Sequence, residues 1–290
     1  MEIGSKTLKL QAGSKLNLYY LGDPHEGNCN MDEKALCEAV KIIQNDPNGY
    51  WFCMGDMIEA ITHLSDKRFD PLSIHEKYNI RDPKDLPMKQ AERVFSYIKP
   101  IQNKCLAVVI GNHEEMYVKY NSSDIYDRFV NMFETSAHEE GKPPFKIGYV
   151  GFYNLHINTR NNRDTANYTI GNALNHGITS TGKLAGSGIN KVHDCFNLMY
   201  SDINVMGHIH QLNEDMEIVV TTNGRNELVR KKRFYGSSGC FLRTYVIGKT
   251  NYYESYAGKS GESDVGMLKM NIQIKADSWD GKLEKIFIGD

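Results

Sequence analysis

Short apolar runs that break at once into Gly, Asp, Asn or His recur along the chain. They read LNLYYLGDPHEG, ending at Gly27, then GYWFCMGDMIEA (49–60), CLAVVIGNHEEM (105–116), ANYTIGNALNHG (166–177) and INVMGHIHQ (203–211). Near-continuous runs of this length suit strands buried on both faces, as in the central layers of an α/β sandwich. Gly22, Gly55, Gly111 and Gly207 close four of them, which predicts a sharp backbone turn at each. Sites in open α/β sheets form just beyond the carboxyl ends of such strands, so five strands ending this way can deliver their polar residues to one place.

Helical patterns lie between these runs. Residues 31–45 put Leu36, Val40 and Ile43 on one stripe, with Asp32 and Glu33 at the start, where negative charge suits the helix dipole. Residues 88–99 and 123–134 are patterned similarly, whereas 61–87 are irregular and rich in Pro, Asp and Lys. The segment 61–104 is therefore read as a helical insertion that caps the site or forms a homodimer contact. From 216 onward EIVVTT, GCFLRTYVIG, TNYYESYAG and MLKMNIQIKA are β-prone and predict a second sheet packed on the first. No linker divides the chain, so 1–290 is expected to form a single domain.

Composition narrows the class without naming it. With 290 residues, 40% hydrophobic, 24% charged and a formal net charge of −2, the chain is globular and has no global pull toward nucleic acid or anionic lipid. An anionic substrate must be attracted locally. The six cysteines are scattered without paired spacing, and Cys53 and Cys105 sit inside apolar runs as small hydrophobes. The opening MEIGSKTLKLQAGSK lacks a signal-peptide core, and no apolar run approaches the roughly 20 residues a bilayer span needs. The expectation is a cytoplasmic protein with no membrane partner.

The residues at the strand ends carry the chemistry. Asp23 and His25 flank Pro24, Asp56 follows Gly55, Asn112 and His113 follow Gly111, His176 precedes Gly177, and His208 and His210 flank Ile209. Singly, each has an ordinary reading as a turn or a solvated histidine. Five such segments, each following a buried-strand pattern, are hard to explain as turns. In extended backbone, residues one position apart point the same way, so Asp23/His25 and His208/His210 can each aim two donors into one cavity. The donors are oxygen and imidazole nitrogen without thiolate, which favours Mn²⁺, Zn²⁺, Fe, Ni²⁺ or Mg²⁺. They also exceed the four positions of one tetrahedral zinc. Two cations about 3.5–4 Å apart would use them, and such pairs clamp phosphoryl groups and supply hydroxide near neutral pH.

The ordered set GDPH, GDMIE, GNHE, NHG and GHIH resembles the signature of the calcineurin-like metallophosphoesterase family over residues 17 to about 211. The resemblance implies an α/β fold, a four-layer αββα sandwich of two mixed sheets flanked by helices. It also implies a dinuclear centre, most often loaded with Mn²⁺. In that family's scheme Asp23, His25 and His210 hold one metal, Asn112, His176 and His208 the other, and Asp56 bridges. His113 is similar to the non-ligand histidine that protonates the leaving oxygen or stabilises the transition state, oriented by Glu114 or Asp23. The fourth position is assigned to His176, which ends an apolar run ahead of Gly177. His156 reads as a strand-face residue, and His193 falls in a predicted helix. The catalytic set implied is His113, Asp23 and Asn112.

The substrate is less constrained. Protein phosphatases of this superfamily carry GDxxDRG, whereas here the segment reads GDMIEAI, with Glu59 and no adjacent Arg. A monoanionic diester needs less cationic clamping, which tilts the reading toward a phosphodiesterase acting on DNA, RNA or a cyclic or linear nucleotide. Substrate contacts are expected from Asn112, His113 and Arg230, the last in a basic run with Arg225 and Lys231-Lys232-Arg233 that also reads as a solvated hairpin. Arg160 and Arg163 share that ambiguity, and Tyr252, Tyr253 and Tyr256 read as base-stacking or packing residues. GSSGCFLRTY and DKRFDP are similar to uncharacterised phage and mobile-element members, which would place the protein in a host cytoplasm. The rival expectations are a phosphomonoesterase and a non-catalytic scaffold of the same fold.

Overall fold

In β2 (Lys15–Leu21), Leu16, Leu18 and Tyr20 alternate with Tyr19 and Leu21, and all five are buried. The first three join an apolar layer with Phe52, Leu106, Leu155, Leu174, Val205 and Leu268, while Tyr19 and Leu21 join a second layer beneath helices. β3 (Gly49–Cys53) and β4 (Cys105–Val109) divide in the same way: Trp51 and Cys53 face the helices, Phe52 and Leu106 the interior. Burial on both faces is why these runs are apolar without interruption. A computed structural model describes residues 1–61, 68–78, 86–121, 124–133, 144–161, 164–177, 184, 186–249, 253–254 and 262–289.

The helical layer holds α1 (Glu33–Asn45), α2 (Leu86–Ile98), α3 (Asn112–Asn121) and α4 (Ile125–Asn131). Asp32 caps α1 by accepting from the Ala35 N–H at 2.9 Å. Leu36, Val40 and Ile43 of α1 share a core with Ala91, Val94 and Phe95 of α2 and Phe129 of α4. The second half of the segment 61–104 is thus a helix of the sandwich itself, between β3 and β4.

The remaining strands are β1 (Glu2–Leu10), β5 (Phe145–Ile147), β6 (Val150–Asn161), β7 (Asp164–Asn175), β8 (Ile203–Met206), β9 (Leu212–Thr222), β10 (Leu228–Ser238), β11 (Gly266–Ile274) and β12 (Trp279–Phe287). One six-stranded sheet runs β12-β11-β2-β3-β4-β5 and the other β1-β6-β7-β8-β10-β9. Both mix parallel and antiparallel pairs. On the outer face of the second sheet α5 (Ser187–Phe196) buries Val192 and Phe196 against Ala173, Met206 and Tyr235. The layers are therefore αββα. The C-terminal β-prone region does not form the second sheet by itself. β11 and β12 extend the first sheet, and β9 and β10 close the second, which begins with β1. Residues 240–249 form no strand, only isolated bridges such as Cys240↔Val265.

β2, β3 and β4 are parallel, as are β7 and β8, so the runs end at one rim of the sandwich. A buried polar bond crosses between the sheets: the Tyr20 hydroxyl donates to Asn172 Oδ1 at 2.7 Å, and the Asn172 amide donates to the Tyr153 carbonyl at 3.1 Å. No helix among the described residues is long and apolar enough to cross a membrane. Tyr20→Phe leaves a buried amide oxygen unpaired, so urea denaturation should show a loss of about 1–3 kcal/mol. Metal affinity should be unchanged, and Tyr20→Phe with Asn172→Leu should recover part of the loss.

Candidate metal centre

Five of the strand-end residues adopt left-handed backbone: Asp23 (φ 54°), His25 (φ 50°), Asp56 (φ 46°), His208 (φ 69°) and His210 (φ 54°). Asp23/His25 and His208/His210 are therefore not extended pairs, and their side chains converge through turns instead. Such conformations cost about 1–3 kcal/mol each and persist only where surroundings over-determine them. The restraint here is a continuation of the β2–β3 ladder past both strands. Asp23 N–H donates to the Gly55 carbonyl at 2.9 Å, His25 N–H to Asp56 at 3.1 Å, and Glu26 N–H to Met57 at 3.0 Å. The run-closing glycines act mainly by allowing close approach. Of Gly22, Gly55, Gly111 and Gly207 only Gly55 has positive φ (91°), while a Cβ on Gly22 would stand 2.7 Å from the Met54 Cβ.

Glu114, the second residue after Asn112, is buried and spends its carboxylate on backbone. Oε1 accepts from Met57 N–H at 2.7 Å and Ile58 N–H at 3.2 Å, and Oε2 from Gly111 N–H at 3.0 Å and Asp56 N–H at 3.1 Å. It therefore fixes the Asp56 loop and does not orient His113. His113 is held by another group: its Nδ1 donates to the Glu59 carbonyl at 2.5 Å.

The donors fall into two groups that meet at Asp56. Asp23, His25 and His210 bring their ligand atoms within 4.8 Å of one another, as do Asp56, His176 and His208. Asp56 Oδ2 lies 3.0 Å from His176 Nε2 in the second group and 3.8 Å from His25 Nε2 in the first, while Oδ1 accepts from the His113 N–H at 2.9 Å. Asn112 Oδ1 is 3.1 Å from His176 Nε2. His25 Nε2 faces His210 Nε2 at 3.1 Å, and His210 Nε2 lies 3.4 Å from Asp23 Oδ1. All seven sequence-assigned ligand residues are thus gathered at the rim. His156 lies exposed on β6 and His193 on α5, where its Nε2 meets Asp215 at 2.8 Å.

The chemistry of this donor set fits divalent cations. His176 Nδ1 donates to the Met54 carbonyl at 2.8 Å, and His25 Nδ1 faces Glu59 Oε2 at 3.1 Å, which leaves both Nε2 atoms as lone pairs toward the pocket. His176 Nε2 then confronts two oxygen acceptors. His208 Nδ1 is buried without a hydrogen-bond partner among the described residues. Crowded lone pairs require protons or cations. In the metal-free protein burial opposes charge on His176, but Asp56, by proximity and hydrogen bonding, outweighs it and lifts the imidazole to about 10. Burial drives His25 and His208 down to about 3. Burial, aided by Asp56, raises Glu114 to about 7.

Three neighbours of the site lie in segments the sequence singled out without assigning them to it. Glu59 backs His25. Arg68, from the irregular segment after β3, brings Nη1 to 3.2 Å from His113 Nε2. Tyr253 places its hydroxyl 3.0 Å from His25 Nδ1, with its ring 5.3 Å from that of His210. Glu59 stood within the GDMIE segment and Tyr253 within the tyrosine-rich YYESY stretch, but neither pattern told which ligand it would touch. Arg230 belongs elsewhere. β10 runs parallel to β8 with Phe234 opposite Ile203, so Arg230 lies beyond the N-terminal end of β8, at the pole away from the ligands. Tyr252, Tyr256, Arg163 and the Arg160 side chain lie outside the described residues.

No family model matches the sequence, and no curated protein matches it. Solved structures similar to the chain include Vps29 of Chaetomium thermophilum, with 10% identity over 95% of this chain and 100% of that one, at a TM-score of 0.36. The calcineurin-like phosphoesterase YfkN of Bacillus subtilis has 12% identity over 93% and 90%, at 0.35. The NAD nucleotidase NadN of Haemophilus influenzae has 8% identity over 95% of this chain and 50% of that one, at 0.37. At such low scores the functional reading rests on the site alone.

Glu114→Gln removes an acceptor from the backbone cradle while keeping its size, and should weaken Mn²⁺ binding about 10–100-fold by calorimetry. In metal-stripped protein, His176 is protonated when folded and neutral when unfolded between its ordinary value of 6.5 and about 10. Its contribution to stability is therefore complete below pH 6.5 and lost as pH rises toward 10. The melting temperature of stripped protein should fall across that window, and His176→Asn should flatten the decline.

Proposed function

We propose that this chain is a calcineurin-like metallophosphoesterase with a dinuclear centre, hydrolysing phosphodiester bonds in a nucleic acid or nucleotide. The observation that carries the reading is Asp56 Oδ2 standing between His25 of one His/Asp group and His176 of the other. Asp23, His25 and His210 would hold one cation, Asn112, His176 and His208 the other, with Asp56 shared. Once bound, the pair supplies Lewis-acid polarisation of the phosphoryl group and a hydroxide nucleophile at neutral pH.

The chain's own residues do the rest. Glu59 and the Met54 carbonyl fix the His25 and His176 rings so that Nε2 points inward. Glu114 holds the Asp56 loop against strain. His113 is anchored through its Nδ1–H and presents Nε2 toward the leaving oxygen. Burial holds this imidazole below its ordinary value and Nε2 accepts from Arg68, so His113 takes a proton from solvent once the guanidinium leaves, and passes that proton to the leaving oxygen. Arg68 rests against that nitrogen, and an arriving phosphoryl oxygen draws the guanidinium away from it.

Diester preference follows from the missing arginine in GDMIEAI. A specific observation favours the second reading, a phosphomonoesterase: Arg68 supplies a guanidinium beside His113 from another part of the chain. A dianionic monoester gains more from such a fork than a monoanionic diester does.

Mn²⁺-supplemented hydrolysis of a bis-aryl phosphodiester against the matching aryl monoester separates the readings. Diester preference is expected; monoester preference that collapses in Arg68→Ala establishes the alternative, and inertness toward both with several metals removes the enzyme reading. His113→Ala should keep its metal content and lose about 10²–10⁴-fold in kcat.

A further inference from the structure

The two sheets end in four edge strands among the described residues, and three are protected. β1 carries Lys6 and Lys9, β12 carries Lys282 and Lys285, and β5 is only three residues long with Lys146 in its centre. Short length and lysines are the usual means of keeping an edge from pairing with another chain. β9 has neither. It is eleven residues long, LNEDMEIVVTT, without Lys, Arg or Pro.

Three of its six exposed side chains are apolar. Met216, Ile218 and Val220 alternate on one face and are 43%, 56% and 55% exposed. The register with β10 puts them on the same face as Phe234, which is buried between the sheets near Trp279. The interior layer thus runs out along β9, while on the same face β10 turns basic, with Lys232 opposite Ile218 and Arg230 opposite Val220.

Charge along the hairpin selects the occupant. The first half of β9 is acidic, with Glu214, Asp215 and Glu217, and the second half, Val219–Thr222, is uncharged. Behind the second half, β10 presents Arg230 opposite Val220 and Lys231 opposite Val219. Pairing β9 antiparallel with a second β9 about a two-fold axis at Ile218 sets Met216 opposite Val220 and Glu217 opposite Val219. Asp215 then faces Thr221 and Glu214 faces Thr222, so each acidic half lies along the half of its mate that is backed by basic residues. No like charges are directly opposed, whereas parallel in-register pairing would stack every carboxylate on its own copy. A two-fold contact of this kind is closed and isologous.

We infer that β9 is a homodimerisation edge, with a second copy of this chain as its partner, joining the second sheets of the two copies through antiparallel β9 strands about Ile218. The contact lies at the pole away from the metal ligands and leaves both centres open.

Sedimentation equilibrium of the full-length chain tests this. The wild type should sediment as a dimer, and Ile218→Lys, which places two ammonium groups on the axis, should raise the dissociation constant at least tenfold with an unchanged circular dichroism spectrum. A monomeric wild type overturns the inference. So does a folded Ile218→Lys protein that remains dimeric, since the contact would then lie elsewhere, for instance on 61–104. If Ile218→Lys does not fold, Ile218→Cys decides. Directly opposed β positions are close enough for a disulfide, so mild oxidation should give a covalent dimer beyond the wild-type background. Thr221→Cys should not, and absence of the Ile218→Cys cross-link overturns the proposal.

Discussion

The organisation of this molecule depends on one buried carboxylate held in a backbone conformation it would not choose. Asp56 sits at the end of β3 with φ at 46°, wholly buried, facing imidazoles from both groups of ligands. Three things keep it there: the ladder that runs on from β2 and β3, the cradle of N–H groups gathered by Glu114, and the close approach permitted by Gly55 and Gly111. Each would be wasteful in a turn that did nothing else. Together they place one oxygen where two clusters of lone pairs meet, and the need to neutralise those lone pairs gives the rim its chemistry.

The donors gathered at the rim were legible in the sequence because their identity and order are local properties. A buried strand leaves a long apolar run, and a donor at its end stands out against that run, as Asp23, Asp56, Asn112 and His208 do. The doubly buried central strands of an α/β sandwich were legible for the same reason, since continuous burial implies cover on both faces, while the full αββα order came from the family resemblance. The division of strands between the sheets was not. β11 and β9 carry similar β-prone patterns, yet β11 pairs with β2 and β9 with β10, and only long-range registry decides between them.

The supporting residues were hidden for physical reasons. Glu114 acts on backbone N–H groups, which every residue but proline has, so no partner side chain points back to it. Arg68 comes from an irregular segment 45 positions before His113, where spacing carries no information. The left-handed turns at Asp23 and His25 were invisible because Asp and His tolerate that region better than most residues and need no glycine to announce it. Arg230 was misplaced for the opposite reason: a basic run looks like a phosphate grip wherever the topology carries it, and β10 carries it to the far pole.

Because the donors come from β2, β3 and β4 of one sheet and from β7 and β8 of the other, the rim works as a clasp between two layers otherwise joined mainly by apolar contact. A cation seated there binds only when both layers are assembled, so occupancy tightens the whole sandwich, by about 2.7 kcal/mol at a hundredfold excess over the dissociation constant. Starving the cell of metal would then loosen the architecture together with the chemistry. The stability of the folded chain would follow the supply of any such cation.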